Sequence, residues 1–145
     1  MANFTIKIQE NISLEGVQRG SEFSQTITAI NHTDNRILNT NSGSETTIFS
    51  LSDTENAGTF LTSSLKYARI SNYSTDTPVN LKVSSSVEQL NFKIDAGGSF
   101  ILSNSEITGS ILSGSDSVFT YDNISSLKVE PSGSSAKIEY IIATT

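Results

Sequence analysis

Apolar and polar residues alternate one by one along most of this chain. The segment FTIKI (4–8) places Phe and Ile on one side and Thr and Lys on the other, and EFSQTITAI (22–30) repeats the pattern. Near the other end, AKIEYIIA (136–143) places Ala136, Ile138, Tyr140 and Ile142 on one face. A period of two is typical of strands with one buried and one solvated face. Both end segments are therefore predicted to be β-strands.

The middle of the chain carries the clearest pattern. Four apolar segments are joined by short polar turns, with strand starts 8–12 residues apart, as expected for a sandwich or barrel. They are LKYARISN (65–72), PVNLKVS (78–84), EQLNFKID (88–95) and SFILS (99–103). Further strands are predicted at TTIFSL (46–51), TFL (59–61), SVFTY (117–121) and SSLKVE (125–130). Residues 45–51 are alternatively compatible with one helical turn.

Two stretches are predicted to be long surface connections. Residues 31–45 are rich in Asn, Asp, Ser and Gly around a short Ile37–Leu38 piece, and residues 104–116 carry Gly109 and Gly114 among serines. These are the residue types that favour turns. The pattern as a whole predicts an antiparallel β-sandwich of ten to twelve short strands, with less than about a tenth of the residues in helix. No change in composition divides the chain, so we expect one domain over residues 1–145.

Three apolar residues close to one glycine pair are expected to lie in the core. Phe92, Ile94 and Phe100 lie on patterned strands on either side of Gly97-Gly98. A phosphate-binding loop would require a Lys and a following helix, and neither is predicted here. The glycine pair is therefore interpreted as a hairpin turn.

Charge and composition argue against several classes of partner. The net charge is −6 and the nine Lys and Arg are scattered, whereas a nucleic-acid binder needs a basic stripe. Anionic membranes are disfavoured for the same reason. The first residues lack the basic and apolar regions of a signal peptide. We expect neither nucleic acid nor membrane as a partner.

Few residues are suited to catalysis. Of 145 residues 54 are Ser, Thr or Asn, there is no Cys or Trp, and His32 is the only histidine. His32 with Asp34 is the one candidate for a general base oriented by a carboxylate. No Gly-x-Ser-x-Gly elbow supplies a nucleophile. His32 is therefore interpreted as an exposed loop residue, and no catalytic residue is predicted.

Oxygen ligands for calcium are concentrated in one short segment. Asp53, Glu55 and Asn56 lie within four residues, but calcium takes six to eight oxygens and the EF-hand pattern is absent. We interpret them as solvated turn residues and expect no metal and no cofactor. A pair of carboxylates for glycoside hydrolysis stays open, because it depends on a distance in space.

Carbohydrate binding is the remaining class with candidate residues. Sugar sites usually present a flat aromatic ring, and only tyrosines are available besides the phenylalanines. Tyr67 and Tyr140 are predicted to pack within strands, whereas Tyr73 lies in a turn and is the best exposed candidate; the fourth is Tyr121.

A succession of turns in the middle of the chain resembles virion proteins of tailed bacteriophages. In this pattern a strand ends in an Asn-containing turn, a Pro-Val-x-Leu strand follows, and a Gly-Gly turn precedes a short apolar strand. The corresponding segments here are Ile70-Ser71-Asn72, Pro78-Val79-Asn80-Leu81, Asp95-Ala96-Gly97-Gly98 and Phe100-Ile101-Leu102. The resemblance covers about 40 of the 145 residues.

This resemblance implies a jelly-roll-like, non-enzymatic structural protein. Such a protein is made in the host cytoplasm and then decorates and stabilises the capsid of the virion, as a cement protein does. The expected partners are the major capsid protein or other virion proteins, and a homotrimer is expected. A tail or fibre component is the nearest alternative, and a carbohydrate-binding or adhesin module is the alternative from another class. For the subunit contact we expect a sheet face or a chain terminus, with residues 31–45 and 104–116 next.

Overall fold

Extended segments make up all the regular secondary structure in the part of the chain that the structure describes. A computed structural model describes residues 2–52, 59–61, 64–86, 88–104, 107–113 and 118–145. The predicted all-β fold is confirmed, with fourteen strands in these residues rather than ten to twelve. The strands are β1 (Ala2–Gln9), β2 (Ile12–Leu14), β3 (Val17–Arg19), β4 (Glu22–Ile30), β5 (His32–Thr40), β6 (Thr46–Ser52), β7 (Thr59–Leu61), β8 (Leu65–Asn72), β9 (Val79–Ser85), β10 (Gln89–Ile94), β11 (Ser99–Ser103), β12 (Thr108–Ser113), β13 (Val118–Pro131) and β14 (Ala136–Thr144).

Two larger sheets face each other across one core. One has six strands in the order β10-β9-β13-β6-β7, with β12 also paired to β13. The other has four strands in the order β11-β8-β14-β5. Buried side chains from both sheets meet in a single cluster, for example Leu81 and Leu127 of the first with Ile70 and Ile138 of the second. This arrangement is a β-sandwich.

The segment that was also compatible with a helical turn is strand β6. It pairs antiparallel with β13 and parallel with β7, the one parallel pair among the described strands. Ile48 and Phe49 are both fully buried, and the Phe49 ring lies 5.3 Å from that of Phe60 on β7. Packing against two neighbouring strands therefore decides the conformation of this segment.

The two predicted surface connections both contain strands. Residues 32–40 form β5, which pairs along its whole length with β14, and residues 108–113 form β12, which pairs with β13. The prediction of loops was wrong for β5 because Thr33, Asn35 and Asn39 are exposed polar residues on this strand, which hides the alternation. In β5 only Thr40 is buried, and Leu38 is partly buried against the core. The segments 117–121 and 125–130 were predicted as separate strands, but their described residues, 118–121 and 125–130, belong to the single strand β13.

The Gly97-Gly98 segment joins the two sheets instead of closing a hairpin. Strand β10 pairs with β9 in one sheet, and β11 pairs with β8 in the other. The Gly98 amide donates to the Asp95 carbonyl at 2.9 Å, and Gly97 has φ of +75°. A positive φ at the third position is the signature of a type II turn and favours glycine. The predicted hairpin turn is thus corrected to a corner between sheets.

The predicted core residues beside this corner occupy two environments. Ile94 is buried with 4% of its surface exposed, as predicted. Phe92 and Phe100 are partly buried against the core, with ring centroids 4.6 Å apart. Because Phe92 lies on β10 and Phe100 on β11, this ring contact connects the two sheets.

The first thirty residues form a separate two-stranded ribbon. Strands β1 and β4 pair only with each other among the described strands, and β2 and β3 extend the ribbon beyond them. Ala29 has φ of +61° beside a shift of register, which marks a β-bulge. The bulge lets Ile27 and Ile30, three residues apart, both be buried. A strict period of two along residues 22–30 would place Ile27 and Ile30 on opposite faces of the strand.

Candidate interaction surface

The candidate catalytic residue His32 makes no hydrogen bond with the carboxylate of Asp34. His32 is the exposed first residue of β5. The Asp34 carboxylate instead accepts hydrogen bonds from Arg36 Nε at 3.0 Å and from the Tyr140 hydroxyl at 2.8 Å. Burial and this hydrogen bond raise the pKa of Tyr140. The contacts of Asp34 stabilise the edge strand β5. His32 is exposed, as predicted, but it lies on a strand and not in a loop.

The possible calcium segment lies outside the described residues, so Asp53, Glu55 and Asn56 are not placed. Within the described ranges, no three His, Asp or Glu residues come close enough together to hold a metal ion.

The tyrosines whose side chains the structure describes differ in solvent exposure, as predicted. Tyr67 and Tyr140 are buried, with 5% and 3% of their surface exposed, whereas Tyr73 is 53% exposed. The side chain of Tyr121 lies outside the described part. The Tyr73 hydroxyl donates to Glu139 Oε2 at 3.1 Å, and that oxygen also accepts from Arg69 at 2.7 Å. These bonds hold the Tyr73 ring at the surface in one orientation.

A shallow cleft of about 320 Å³ lies beside the Tyr73 ring. The residues that line it include Asn39, Asp76 and Lys137. An exposed aromatic ring with polar residues around it is the type of surface on which a sugar can stack. The cleft is the only candidate small-molecule site from the sequence that the described residues support.

The largest unpartnered feature is the end of the N-terminal ribbon. Every residue from 9 to 24 is exposed, and we call this segment the arm tip. Strands β2 and β3 pair within it, joined by Glu15 and Gly16 with φ of +51° and +79°. Two consecutive positive φ values give the type I′ turn that favours tight hairpins. The arm tip is therefore a regular hairpin and not an irregular loop.

One face of the arm tip carries three apolar side chains and Arg19, which lies opposite Ile12. Leu14 and Val17 lie directly opposite each other, and Ile12 is two residues from Leu14 on the same side of β2. These three side chains are 57% (Ile12), 53% (Leu14) and 53% (Val17) exposed. Ser13 and Gln18 form the opposite, polar face. The hairpin thus has the pattern of a strand pair that covers a surface, but among the described residues it covers none.

The other end of the ribbon, which we call the arm base (residues 2–8 and 25–30), is packed. It covers part of the outer face of the four-stranded sheet, where Ile6, Ile27 and Ile30 form a second buried cluster with Tyr67 and Ala143. The Phe4 ring lies 4.8 Å from that of Tyr67 on β8, and Ser103 at the end of β11 donates to Gln25 at 2.6 Å. The ribbon therefore crosses from β5, which follows it in the chain, to the edge strand β11, and the arm tip projects beyond that edge.

The arm tip is a hairpin without a supporting surface among the described residues. A two-stranded hairpin is marginally stable in water unless a third strand or a packed surface supports it. Phe23, 52% exposed, adds a fourth large apolar side chain to the exposed part of the ribbon. Contiguous exposed apolar side chains mark interaction sites more often than chance exposure does. The arm tip is the strongest candidate for a binding element.

The arm base leaves the rest of the sheet's outer face uncovered. There Ile37 on β5 and Ile101 on β11 are 58% and 41% exposed. Between them lie Arg69 and Glu139, paired at 2.7 Å. We call this region the open face. It is a mixed apolar and polar surface next to the face that the arm base already covers.

Sequence reasoning identified β1 and β4 as strands but missed the arm tip. A signal was present, since Glu15-Gly16 stands between two short runs with apolar residues at alternate positions. That signal predicts a tight hairpin. It does not tell whether the apolar face is packed, because packing depends on where the ribbon leaves the sandwich.

Comparison with known proteins gives no relative for this chain: no family model, no curated protein and no solved structure matches it. Within the described residues there is no helix that could cross a membrane.

Proposed function

We propose that this chain is a non-enzymatic structural subunit of a bacteriophage virion, which decorates the capsid and stabilises it through protein–protein contacts. The single observation that supports this most is the arm tip, a regular hairpin with an apolar face and no partner. The jelly-roll-like connectivity implied by the resemblance to phage proteins stays a prediction within this proposal.

The residues considered for other functions favour this proposal over an enzyme. His32 is exposed, and its candidate carboxylate Asp34 is occupied by Arg36 and Tyr140. A structural subunit needs only surfaces that bury area, and a specific contact requires about 1,000 Å² in total. The arm tip and the open face are surfaces of this kind.

A tail or fibre subunit is the nearest alternative, since the same arm would serve in either location. A carbohydrate-binding module is favoured by one observation, the exposed Tyr73 ring beside its cleft. A glycan array with the wild type and with Tyr73→Ala tests that alternative. Binding that Tyr73→Ala abolishes would assign the cleft to a sugar.

The direct test of the proposal is co-sedimentation with capsids that lack this protein. We expect saturable binding by the wild type and at least tenfold weaker binding by Leu14→Ser with Val17→Ser, because that change removes two exposed apolar side chains from the arm tip. Leu90→Ser is the matched control, since Leu90 is 49% exposed on β10, away from the arm. Absence of binding to both heads and tails would overturn the proposal.

A further inference from the structure

We propose that the cleft beside Tyr73 binds a neutral saccharide, which stacks on the Tyr73 ring and forms hydrogen bonds with Asn39, Asp76 and Lys137. This inference goes beyond the proposed structural role and does not depend on the arm tip. It names the class of ligand and the side chains that contact it.

The loop that carries the ring is fixed to the sandwich at both of its ends. The buried side chain of Asn72 donates to the carbonyl of Thr77 at 2.8 Å and accepts from the amide of Ser74 at 3.1 Å. The amide of Tyr73 donates to the carbonyl of Lys137 at 2.8 Å, and the amide of Lys137 donates to Ser74 Oγ at 3.1 Å. A loop that is already ordered in this way loses little conformational entropy when a ligand binds.

The Tyr73 ring is presented as an aromatic surface and not as a hydroxyl donor. Its hydroxyl already donates to Glu139 Oε2 at 3.1 Å, and Arg69 donates to the same oxygen at 2.7 Å. The residue is nevertheless 53% exposed. What remains available to a ligand is therefore the apolar ring, on which the C–H groups of a sugar can stack.

Polar groups that the other described residues leave unpaired lie around the ring. Asn39 and Lys137 are directly opposite each other on β5 and β14, and both are exposed. Their side chains make no hydrogen bond or ion pair with any described residue. Asp76 is also exposed, and one of its carboxylate oxygens accepts from Thr77 at 3.1 Å. An amide, an ammonium and a carboxylate together supply donors and acceptors, which is what the hydroxyl groups of a sugar require.

The charges around the cleft cancel, which favours an uncharged ligand. Lys137 and Asp76 contribute one cation and one carboxylate to the lining. The neighbouring Arg69 and Glu139 form an ion pair with each other at 2.7 Å. Because the whole chain carries a net charge of −6, an acidic sugar would be repelled at long range. We therefore expect the ligand to be a neutral saccharide whose affinity changes little with ionic strength.

Titration of the intact protein with defined sugars, followed by saturation-transfer NMR of the sugar signals, tests the site. The neutral probes are maltotriose, lactose, mannotriose and chitotriose, and sialyllactose is the acidic counterpart of lactose. We expect at least one neutral probe to bind the wild type. Tyr73→Ala should bind that probe about tenfold more weakly because the stacking surface is lost. Asn39→Ala should bind it about three- to tenfold more weakly because a hydrogen bond is lost.

The matched control is Phe23→Ala. Phe23 is 52% exposed, almost the same as Tyr73, but it lies on β4 of the N-terminal ribbon. Its removal should leave the affinity for the sugar unchanged.

Each outcome decides the inference. Binding that survives Tyr73→Ala, or that falls equally in Phe23→Ala, would place the sugar elsewhere and overturn it. The absence of a response to every neutral probe at millimolar concentration would overturn it too, as would tighter binding of sialyllactose than of lactose. Tyr73→Ala and Asn39→Ala leave the arm tip intact, so failure of the sugar site does not affect the proposed function. Failure of the arm variants to alter capsid binding would in turn leave the sugar site standing.

Discussion

The side-chain amide of Asn72 donates a hydrogen bond to the backbone carbonyl of Ile94 at 3.2 Å, which ties the end of a strand in one sheet to the end of a strand in the other. The same amide also donates to the carbonyls of Thr77 at 2.8 Å and Asp95 at 3.2 Å. Asn72 is only 1% exposed, and its side-chain oxygen Oδ1 accepts a hydrogen bond from the backbone amide of Ser74. One buried side chain therefore organises the corner between the sheets.

Replacing Asn72 should destabilise this corner strongly. Asn72→Ala removes the side-chain donor to the buried carbonyls of Thr77 and Ile94, while the Asp95 carbonyl keeps its bond from Gly98. We expect a loss of about 2–4 kcal/mol in the free energy of unfolding. Asn72→Asp keeps the size but has no donor when ionised, so it should be at least as costly at neutral pH. Urea denaturation measures both. Asn91→Ala, at an exposed strand position, should change stability by less than about 0.5 kcal/mol; an equal loss in the two Ala variants would contradict this account.

The turn at the corner should depend on glycine at one position. Nothing lies within 4 Å of a Cβ built on Gly97, so the cost of Gly97→Ala comes from its φ of +75° alone. We expect a loss of about 1–2 kcal/mol, and a smaller loss for Gly97→Asn, because Asn tolerates the left-handed region better. Thermal unfolding of the three proteins tests the order. If Gly97→Ala were as stable as the wild type, the turn would have to be able to adopt another conformation.

The contact between Phe92 and Phe100 should contribute beyond the area that each ring buries. Because both rings are only partly buried, Phe92→Ala should cost about 2–3 kcal/mol, less than the 3–5 kcal/mol of a fully buried ring. A double-mutant cycle with Phe100→Leu should give a coupling of about 0.5–1.5 kcal/mol, as for other aromatic pairs. Strictly additive losses would mean that the rings do not connect the sheets energetically.

Stability should fall in acid through a carboxylate on the six-stranded sheet. Hydrogen bonds from Lys82 and then from Lys128 lower the pKa of Glu45 below its ordinary 4.5. A carboxyl whose pKa is lower in the folded state stabilises the protein above the pKa of the unfolded state, and this contribution is lost as pH falls through the folded value. We expect the melting temperature to drop below about pH 4.5, with a shallower drop for Glu45→Gln. Glu15→Gln, on the arm tip, is the control and should follow the wild type.

The strands with one apolar face were predictable from the sequence, but the pairing of strands was not. Strands β8, β9 and β14 alternate clearly, because one side faces the common core. Strand β5 was missed because it is an edge strand with polar residues on both sides. The assignment of β10 and β11 to different sheets was not predictable because a Gly-Gly pair can adopt either the turn of a tight hairpin or the type II turn of a corner.

The candidate site was less predictable than the fold, for a related reason. His32 was predicted to be exposed, and its exposure is confirmed; the absence of a catalytic role stays a prediction. The arm tip has the same alternation as a packed strand, so the sequence alone cannot separate an apolar face that is buried from one that is exposed. That difference lies in the path of the ribbon across β8 and β11, which depends on contacts distant in sequence.

Quantitative mass spectrometry of phage particles purified from a culture that produces this chain tests the central claim most directly. The proposed function predicts that the chain stays with the particles through a density gradient, at a fixed copy number per particle. Recovery of the chain only in the soluble fraction of the lysate, with intact particles free of it, would contradict the claim that it is a structural subunit of the virion.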